Sequence, residues 1–600
     1  MSQQFNTSIF TQAMDRQTNL VEGENGALEH VSSRGTEERS GSLDLRNVNG
    51  VRSLDCQVDL FFALVRNIPE DRLNELFDNA IKEATDLESK INLFVLIFQT
   101  RYCRGGKGEK KLFYHMFLRM YNHFPKTMMD LLPLIPLYGY YKDYFLILEM
   151  GPPEEIVDRI ITILANQLHK DDAALKETNP KLSLCAKFAP SEGKHFATGL
   201  NKRFYNLLIN KLFPYDYMDR KAMQKSRKQY RQLLSRLRKS LEIPEIFMCA
   251  KKYEEIQFSK VPSLCMNRNR KAFLNEIVSP FPKADRKHKV EPCNDENGNR
   301  YPNDNDRVNA RHNLINLTKE VLEGKTTAKL CGKQLMPHQL VSQLMKGHSI
   351  SSAESDLYDA QWAEIRKSVL TSFEKEKQEG SVSLGKMIPL VDVSGSMAGT
   401  PMQVAIALGI LVSEVTHPTF RDRFITFHEC PSWVSLQELN TLKNKVDKTQ
   451  NAPWGGSTNF EAAFELILNV AITEKIPASE MPDSLIVFSD MQFNQASNHK
   501  TTFKLMCDRF TTEGYTLPKI IFWNLRGDTY GFPVTSDTEN VQMLSGFSPS
   551  LLKLVLDGEP INQEEDLIPT VTSLETYRKV IYDESYDPVR EAICISDEII

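Results

Sequence analysis

The side chains best suited to chemistry are hydroxyls and carboxylates that follow two apolar runs. Asp392, Ser394 and Ser396 alternate directly after the first run, and Asp490 follows the second. Thr458 lies between them in a glycine-rich turn that opens a predicted helix. All five groups are hard oxygen donors, which suits Mg²⁺, with Mn²⁺ or Ca²⁺ as alternatives. The sequence therefore predicts a divalent-cation site. The alternative is that the two aspartates only cap neighbouring helices.

A sheet is needed to bring these side chains together. After Gly380, apolar strands alternate with helical stretches, which is typical of an open, mostly parallel sheet covered by helices on both faces. The carboxyl ends of such strands share one edge, where ligands bind. The predicted strands lie at 387–393, 423–427, 484–488 and 519–523, with helices at 401–415, 460–470 and 503–510.

The spacing Asp392-x-Ser394-x-Ser396, followed by Thr458 and Asp490, resembles the metal-ion-dependent adhesion site of von Willebrand factor A domains. All five positions of that motif are present in the expected order. The resemblance implies that Ser394, Ser396 and Thr458 ligate the ion, while the two aspartates balance its charge through water or orient the serines. It also implies an open coordination position for a carboxylate from an acidic protein partner.

Upstream, the apolar residues repeat with helical spacing. Ile91, Phe94, Val95 and Phe98 stand at i, i+3, i+4 and i+7, and similar stripes recur along the chain. The first residues are polar and lack a period, as in disordered tails. The predicted organisation is a disordered tail at 1–45, an all-α domain at 46–375 with or without a helical repeat, a polar insertion within it at 291–313, the doubly wound α/β domain at 381–560 and an acidic segment at 561–600.

Short motifs of the helical domain follow the order seen in an uncharacterised family that joins helices to a von Willebrand factor A domain. They are Arg104-Gly-Gly-Lys-Gly-Glu109, Tyr138-Gly-Tyr-Tyr-Lys-Asp143, Ala186-Lys-Phe-Ala-Pro-Ser-Glu192, Tyr230-Arg-Gln-Leu-Leu and Val261-Pro-Ser263. The arrangement resembles the TROVE module of Ro autoantigens, an RNA-binding ring of helical repeats closed by a von Willebrand factor A domain. The resemblance implies RNA binding and leaves ring closure open.

Charge is concentrated in one part of the chain. Residues 181–290 hold 25 Lys and Arg against 9 Asp and Glu, although the whole chain has a net charge of −5. Between 220 and 239 the basic residues are dense enough that a helix there is predicted to be basic over most of its circumference. Such a surface binds structured or single-stranded RNA through its phosphates, and the alternative is a solvated face paired with acidic neighbours. The predicted RNA-binding residues are Arg104, Lys107, Lys225, Arg227, Lys228, Arg231, Arg236 and Arg238.

The sequence also bears on the cellular compartment of the protein. The ten cysteines include no C-x-x-C pair, no apolar run reaches the ~18 residues of a membrane span, and the first residues lack a secretory pattern. We therefore expect a cytoplasmic protein that is not inserted in a membrane, with its oligomeric state left open.

These patterns predict a non-enzymatic binding or scaffold protein. One alternative is a metal-dependent hydrolase or phosphotransferase with Asp392 as nucleophile, for which no general base can be named. The other is a protein–protein assembly factor that binds no nucleic acid.

Overall fold

Helices dominate the described chain as far as Glu376, as the apolar spacing predicts. The computed structural model describes residues 8–16, 20–22, 28–30, 55–191, 200–277, 295–330, 335–346, 350–376, 384–427, 430–452, 460–491, 499–528, 539–555 and 572–594. The first elements are α1 (Ile9–Asp15), β1 (Leu20–Glu22) and β2 (Leu28–His30), of which the two strands pair antiparallel.

The helical region follows. Its helices are α2 (Cys56–Ala63), α3 (Glu70–Glu83), α4 (Leu87–Arg101), α5 (Lys110–Tyr121), α6 (Pro125–Leu131), α7 (Ile135–Tyr138), α8 (Lys142–Glu149), α9 (Glu154–Ala174), α10 (Cys185–Phe188), α11 (Leu200–Leu212), α12 (Arg220–Ser240), α13 (Pro244–Ala250), α14 (Ser263–Phe273), α15 (Asn305–Leu322), α16 (Pro337–Leu344) and α17 (Ser352–Glu376). No helix among the described residues combines the length and the apolar character needed to cross a membrane.

Beyond Glu376 strands and helices alternate around a sheet. The strands are β3 (Met387–Asp392), β4 (Arg423–Phe427), β5 (Ser432–Ser435), β6 (Ser484–Ser489), β7 (Lys519–Asn524) and β8 (Val541–Ser545). The helices are α18 (Thr400–Val415), α19 (Leu442–Gln450), α20 (Phe460–Thr473), α21 (His499–Thr512), α22 (Ser573–Ile581) and α23 (Asp587–Cys594). An α/β domain with a mostly parallel sheet therefore follows the helical region, as predicted.

The strand order places the predicted site at a reversal of the chain path. The order is β5-β4-β3-β6-β7-β8, with every neighbouring pair parallel except β4 and β5. From β3 the chain moves to β4 and β5 on one side, and then returns to β6 on the other side. The carboxyl ends of β3 and β6 thus flank the point where the order reverses, which is the usual ligand position in an open α/β sheet.

The helical region and the sheet share one apolar core. Buried side chains from α2 to α12 and from β3 to β8 belong to one continuous cluster. A smaller cluster, which includes Phe258, Phe273, Leu314 and Leu357, packs α14, α15 and α17 together. The sheet and the helices therefore pack around a shared core.

Lys107 joins the two parts at a fully buried position. Its Nζ donates hydrogen bonds to the backbone carbonyls of Phe61 and Leu64 and to Ser545 Oγ at the end of β8. The Phe61 ring centroid lies 4.3 Å from the same nitrogen. Burial lowers the pKa of Lys107 well below its usual range. The Arg104–Glu109 motif is thus a turn between α4 and α5 that docks on the sheet.

Helix α1 departs from the predicted disordered tail. The Phe10 ring lies 5.9 Å from that of Phe420 and 6.3 Å from that of Trp433 beside the edge strand β5. The Asp15 carboxylate accepts hydrogen bonds from the Arg423 guanidinium, at 2.6 Å for the nearest pair of atoms, and from Trp433 Nε1 at 2.8 Å. Because these contacts are distant in sequence, local composition could not reveal them, and the prediction of disorder is wrong for Ile9–Asp15.

The predicted polar insertion at 291–313 also contains regular structure. Its second half forms the first turns of α15, where the Asp304 side chain accepts a hydrogen bond from the Arg307 N–H. Further along, Arg311 is buried and its guanidinium lies 3.1 Å from Glu276. The prediction of an exposed loop is therefore wrong for 305–313, where Asn and Asp mark a helix start instead.

His338, in the first turn of α16, lies buried against the chain that leaves β8. Its ring is 5.4 Å from that of Phe547 in an edge-to-face arrangement, and the residue is 5% exposed. Burial, with a smaller contribution from Arg66, lowers the pKa of His338 to about 3. The imidazole is consequently neutral in the folded protein throughout the mildly acidic range.

Acidification from pH 7.5 to 5.0 is expected to cost about 2 kcal/mol of folding free energy through His338, because the imidazole takes up a proton near pH 6.5 only in the unfolded chain. Stability is thus lost as pH falls below 6.5 and continues to fall towards the folded-state pKa. His338→Leu should remove this part of the pH dependence in urea unfolding, whereas His169→Leu, at an exposed position, should retain it. An equal loss in wild type and His338→Leu would contradict the assignment.

Candidate functional site

Asp392 ends β3 with a side chain that is fully buried. Its Oδ1 accepts a hydrogen bond from the Ser394 N–H at 2.9 Å, and its Oδ2 accepts one from the Ser489 hydroxyl. Burial and the neighbouring charge of Asp490 raise the pKa of Asp392, while these hydrogen bonds oppose that shift. Asp392 therefore holds the loop that follows it and adds buried negative charge.

Asp490 brings a second carboxylate to the same point from the end of β6. It is fully buried and lies close enough to Asp392 for the two charges to interact. Met491, which follows, adopts a left-handed backbone with φ of 63° although it is not glycine. Such a conformation costs on the order of 1 kcal/mol for a residue other than glycine. The Met491 N–H donates to Ser489 Oγ at 3.1 Å, which stabilises this bend.

The two serines of the first loop supply adjacent hydroxyls. Ser394 Oγ and Ser396 Oγ lie 3.0 Å apart, and Ser396 remains partly exposed. Neighbouring ligands of an octahedral Mg²⁺ ion are also about 3.0 Å apart when the metal–oxygen bonds are about 2.1 Å. The buried carboxylate pair and the all-oxygen donor set fit a hard divalent cation. Within the described segments, no group of three or more His, Cys, Asp and Glu residues is arranged for a metal ion, so the candidate set rests on two carboxylates and hydroxyls.

Thr458, the remaining predicted ligand, lies outside the described residues. The structure therefore brings together Asp392, Ser394, Ser396 and Asp490, while the place of Thr458 stays a prediction.

Sequence reasoning missed two residues at this edge. Ser489 links the two strand ends, because its hydroxyl both donates to Asp392 and accepts from the Met491 N–H. Arg526, just beyond β7, donates to the Ser396 carbonyl and pairs with Asp528 at 2.8 Å. Asp528 and, more weakly, Asp490 raise the pKa of Arg526. The sequence signals for these two residues were the serine hydroxyl directly before Asp490 and the basic side chain that follows β7.

A mainly apolar hollow of about 260 Å³ adjoins the first loop. Val393, Met402 and Ile406 line it from the α/β domain, and Met345 lines it from beyond α16 in the helical region. Ser394 lies at its polar side. A ligand at the serines would thus have an apolar surface beside it.

The predicted helix at 220–239 is confirmed as α12, but its charges are not distributed as predicted. Ser226, Tyr230, Leu233, Leu234 and Leu237 form a buried stripe along one side. The prediction of a helix that is basic over most of its circumference is therefore wrong, because one side packs into the core. The exposed basic residues of α12 that have no ion-pair partner within the described segments are Arg220, Lys221, Lys225, Lys228 and Lys239.

Some predicted RNA-binding residues serve the fold. Lys107 is wrong as an RNA contact, because it is fully buried and bonded to Phe61, Leu64 and Ser545. Arg238 is half-buried and donates to the carbonyls of Ala186 and Ala189 and to Ser191 Oγ. That side chain therefore braces α10 and the chain that follows it.

Two more of the predicted RNA-binding arginines also contact other side chains. Arg227 donates to Asn206 Oδ1 at 3.0 Å, and Arg236 pairs with Asp172 at 2.8 Å. Lys225, Lys228 and Arg231 are exposed on α12, and Arg104 is exposed after α4. The predicted set thus divides between exposed positions, on α12 and after α4, and several structural positions.

Two protein families match this chain, one in the helical region and the other in the region of the sheet. A family described as Domain of unknown function (DUF2828) matches residues 47–158 and 153–282 in the helical region. A second, described as Domain of unknown function (DUF7788), matches residues 386–592, which include the sheet and α22.

A relative extends over most of the chain. The Uncharacterized protein L728 of Acanthamoeba polyphaga mimivirus is 34% identical over 530 residues, which cover 84% of this chain and 82% of that protein. The chain therefore belongs to the family that includes this viral protein.

Asp490→Asn is expected to raise the thermal stability of the protein in EDTA, by on the order of 1 kcal/mol, because it removes one of two buried like charges. Differential scanning calorimetry measures this shift. Asp508→Asn, at an exposed position in α21, should leave the melting temperature unchanged. A lower melting temperature for Asp490→Asn would show that the site requires both charges even without a cation.

Proposed function

We propose that the α/β domain is a von Willebrand factor A-like adhesion domain. In this proposal Ser394, Ser396 and Thr458 hold a divalent cation, Mg²⁺ or else Mn²⁺ or Ca²⁺, and Asp392 and Asp490 balance its charge. The bound ion would offer a coordination position to a carboxylate of an acidic protein partner. The observation that carries the proposal is the convergence of two buried carboxylates and two adjacent hydroxyls where the strand order reverses.

The geometry of Asp392 favours binding over catalysis. A hydrolase or phosphotransferase of this type would use Asp392 as its nucleophile and would have to present it to the substrate. Instead the carboxylate is fully buried, and both of its oxygens accept hydrogen bonds from the protein. We therefore propose a non-enzymatic scaffold, in which Asp392 orients the serines.

The hollow beside Ser394 adds a constraint on the partner. Val393, Met402 and Met345 give it apolar walls directly next to the proposed coordination position. A partner segment that places an aliphatic side chain next to its carboxylate would bury apolar surface there as well as ligate the ion. The adhesion site is thus proposed to select an acidic segment with an apolar neighbour.

Ser396→Ala should weaken Mg²⁺ binding about tenfold or more, because it removes a proposed ligand whose hydroxyl contacts only Ser394 Oγ among the described residues. The increase of melting temperature with Mg²⁺ and a Mn²⁺ titration followed by electron paramagnetic resonance measure the affinity. Ser435→Ala, at the end of β5, is the matched control and should bind like wild type. Identical titrations for wild type and Ser396→Ala would refute the metal site.

Partner capture tests the adhesion role separately. Immobilised protein should retain a partner from cell lysate in Mg²⁺ and release it in EDTA, and Asp490→Asn should retain none. Capture that is unchanged by the chelator would contradict a metal-mediated contact even if the ion binds.

A second proposed function is RNA binding by the exposed side of α12 in a TROVE-like helical domain. Arg220, Lys221, Lys225 and Lys228 lie within two and a half turns, are exposed, and have no ion-pair partner within the described residues. Such a row of unpaired cations favours contact with a phosphate backbone. With Tyr230 buried, the contacts proposed here are electrostatic, without base stacking on that ring.

Replacing Lys221, Lys225 and Lys228 by Gln should weaken binding of a fluorescent single-stranded RNA and reduce the slope of log affinity against log salt by about 2, since each lost phosphate contact contributes about 0.7. Fluorescence anisotropy at several salt concentrations measures both quantities. The control replaces three exposed lysines elsewhere, namely Lys82, Lys170 and Lys448. If both triple variants lose affinity equally, binding is not localised to α12 and the proposal fails.

A further inference from the structure

A cleft of about 240 Å³ with polar and apolar walls opens where three distant parts of the chain meet. Tyr102 and Arg104 line it from the turn after α4, and Ser368 and Val369 line it from α17. Lys553 and the turn at 583–585 close it from the end of the α/β domain. The cleft lies apart from the strand ends that carry Asp392 and Asp490, and it shares no lining residue with the hollow beside Ser394.

The charges around the cleft leave an excess of one positive charge. Lys553 Nζ lies 2.6 Å from Asp583 Oδ2, so these two charges balance. The other oxygen of Asp583 accepts from the Ser585 hydroxyl at 2.6 Å and the Ser585 N–H at 2.9 Å. Arg104 is exposed and has no ion-pair partner within the described part of the chain. Its guanidinium is therefore the group available to an anion.

Hydroxyl oxygens provide the complementary contacts. The hydroxyls of Ser550, Ser372 and Ser585 donate their protons to Arg104 O, Val369 O and Asp583 Oδ1. Because these protons are used in hydrogen bonds within the protein, the oxygens retain acceptor capacity, which suits hydroxyl groups on a ligand. Ile365 and Val369 supply an apolar wall for its carbon atoms.

We propose that this cleft binds a small phosphate ester of a hydroxylated carbon skeleton, with the phosphate at Arg104. A guanidinium matches phosphate oxygens with two parallel hydrogen bonds, which favours a phosphate at Arg104. The volume corresponds to about eight water molecules, at about 30 Å³ each, which suits a ligand of about ten non-hydrogen atoms.

Such a ligand would connect the three parts of the chain that form the cleft. It would touch the turn that also carries Lys107, the long helix α17, and the segment between α22 and α23. Binding would therefore stabilise the contact between the helical region and the end of the chain, by an amount that grows with the logarithm of the ligand concentration above the Kd. This effect is independent of the proposed cation site and of α12.

Isothermal titration and thermal unfolding of the full chain in EDTA test the proposal with three probes. Glycerol 3-phosphate should bind and raise the melting temperature, inorganic phosphate should bind more weakly, and glycerol alone should have no effect. Arg104→Gln should weaken binding of both phosphate compounds about tenfold or more, as for the loss of a charge-assisted pair. Arg268→Gln, an exposed position in α14, is the matched control and should bind like wild type.

Ser368→Ala provides a milder second variant, since it alters a lining residue without changing charge. It should reduce the preference for glycerol 3-phosphate over inorganic phosphate. The proposal is overturned if neither phosphate compound binds wild type in EDTA, or if Arg104→Gln and Arg268→Gln bind them equally. Binding of inorganic phosphate with no gain from the glycerol portion would refute the hydroxylated skeleton and leave a simple anion site.

Discussion

The structure at the carboxyl ends of β3 and β6 must accommodate the repulsion between two carboxylates that are buried away from water. Asp392 and Asp490 are both fully buried and interact, although such a pair opposes folding. The surrounding structure holds them in place through the Ser489 hydroxyl and the left-handed Met491, while Arg526 lies nearby as a compensating charge. Such an arrangement costs stability, and the proposed cation site would account for its presence.

The helical region supports this edge from outside. Lys107 reaches the end of β8, and Met345 lines the hollow beside Ser394, so residues of the helices contribute to the environment of the strand ends. The two family matches cover separate stretches of the sequence, whereas the apolar core includes residues of both. Substitutions in the helices are therefore expected to affect the sheet through this shared packing.

The parts of the fold that the sequence could predict are those with a local signal. Buried parallel strands such as β3 and β6 are continuous apolar runs, and Asp392 and Asp490 end them visibly. By contrast, β5 is a four-residue edge strand and β8 contains the polar but buried Gln542, so neither shows a clear pattern. Lys107 resembles a surface lysine in sequence, because only distant carbonyl groups determine its burial.

The contact of α1 with the sheet edge has a practical consequence for recombinant fragments. A fragment begun at residue 47, where the family match starts, would omit Phe10 and Asp15. It would uncover the aromatic rings of Phe420 and Trp433 beside an edge strand and leave the buried Arg423 without its carboxylate. Exposed edges of this kind template intermolecular strand pairing, so poor solubility of such a fragment would reflect the cut and not the intact molecule.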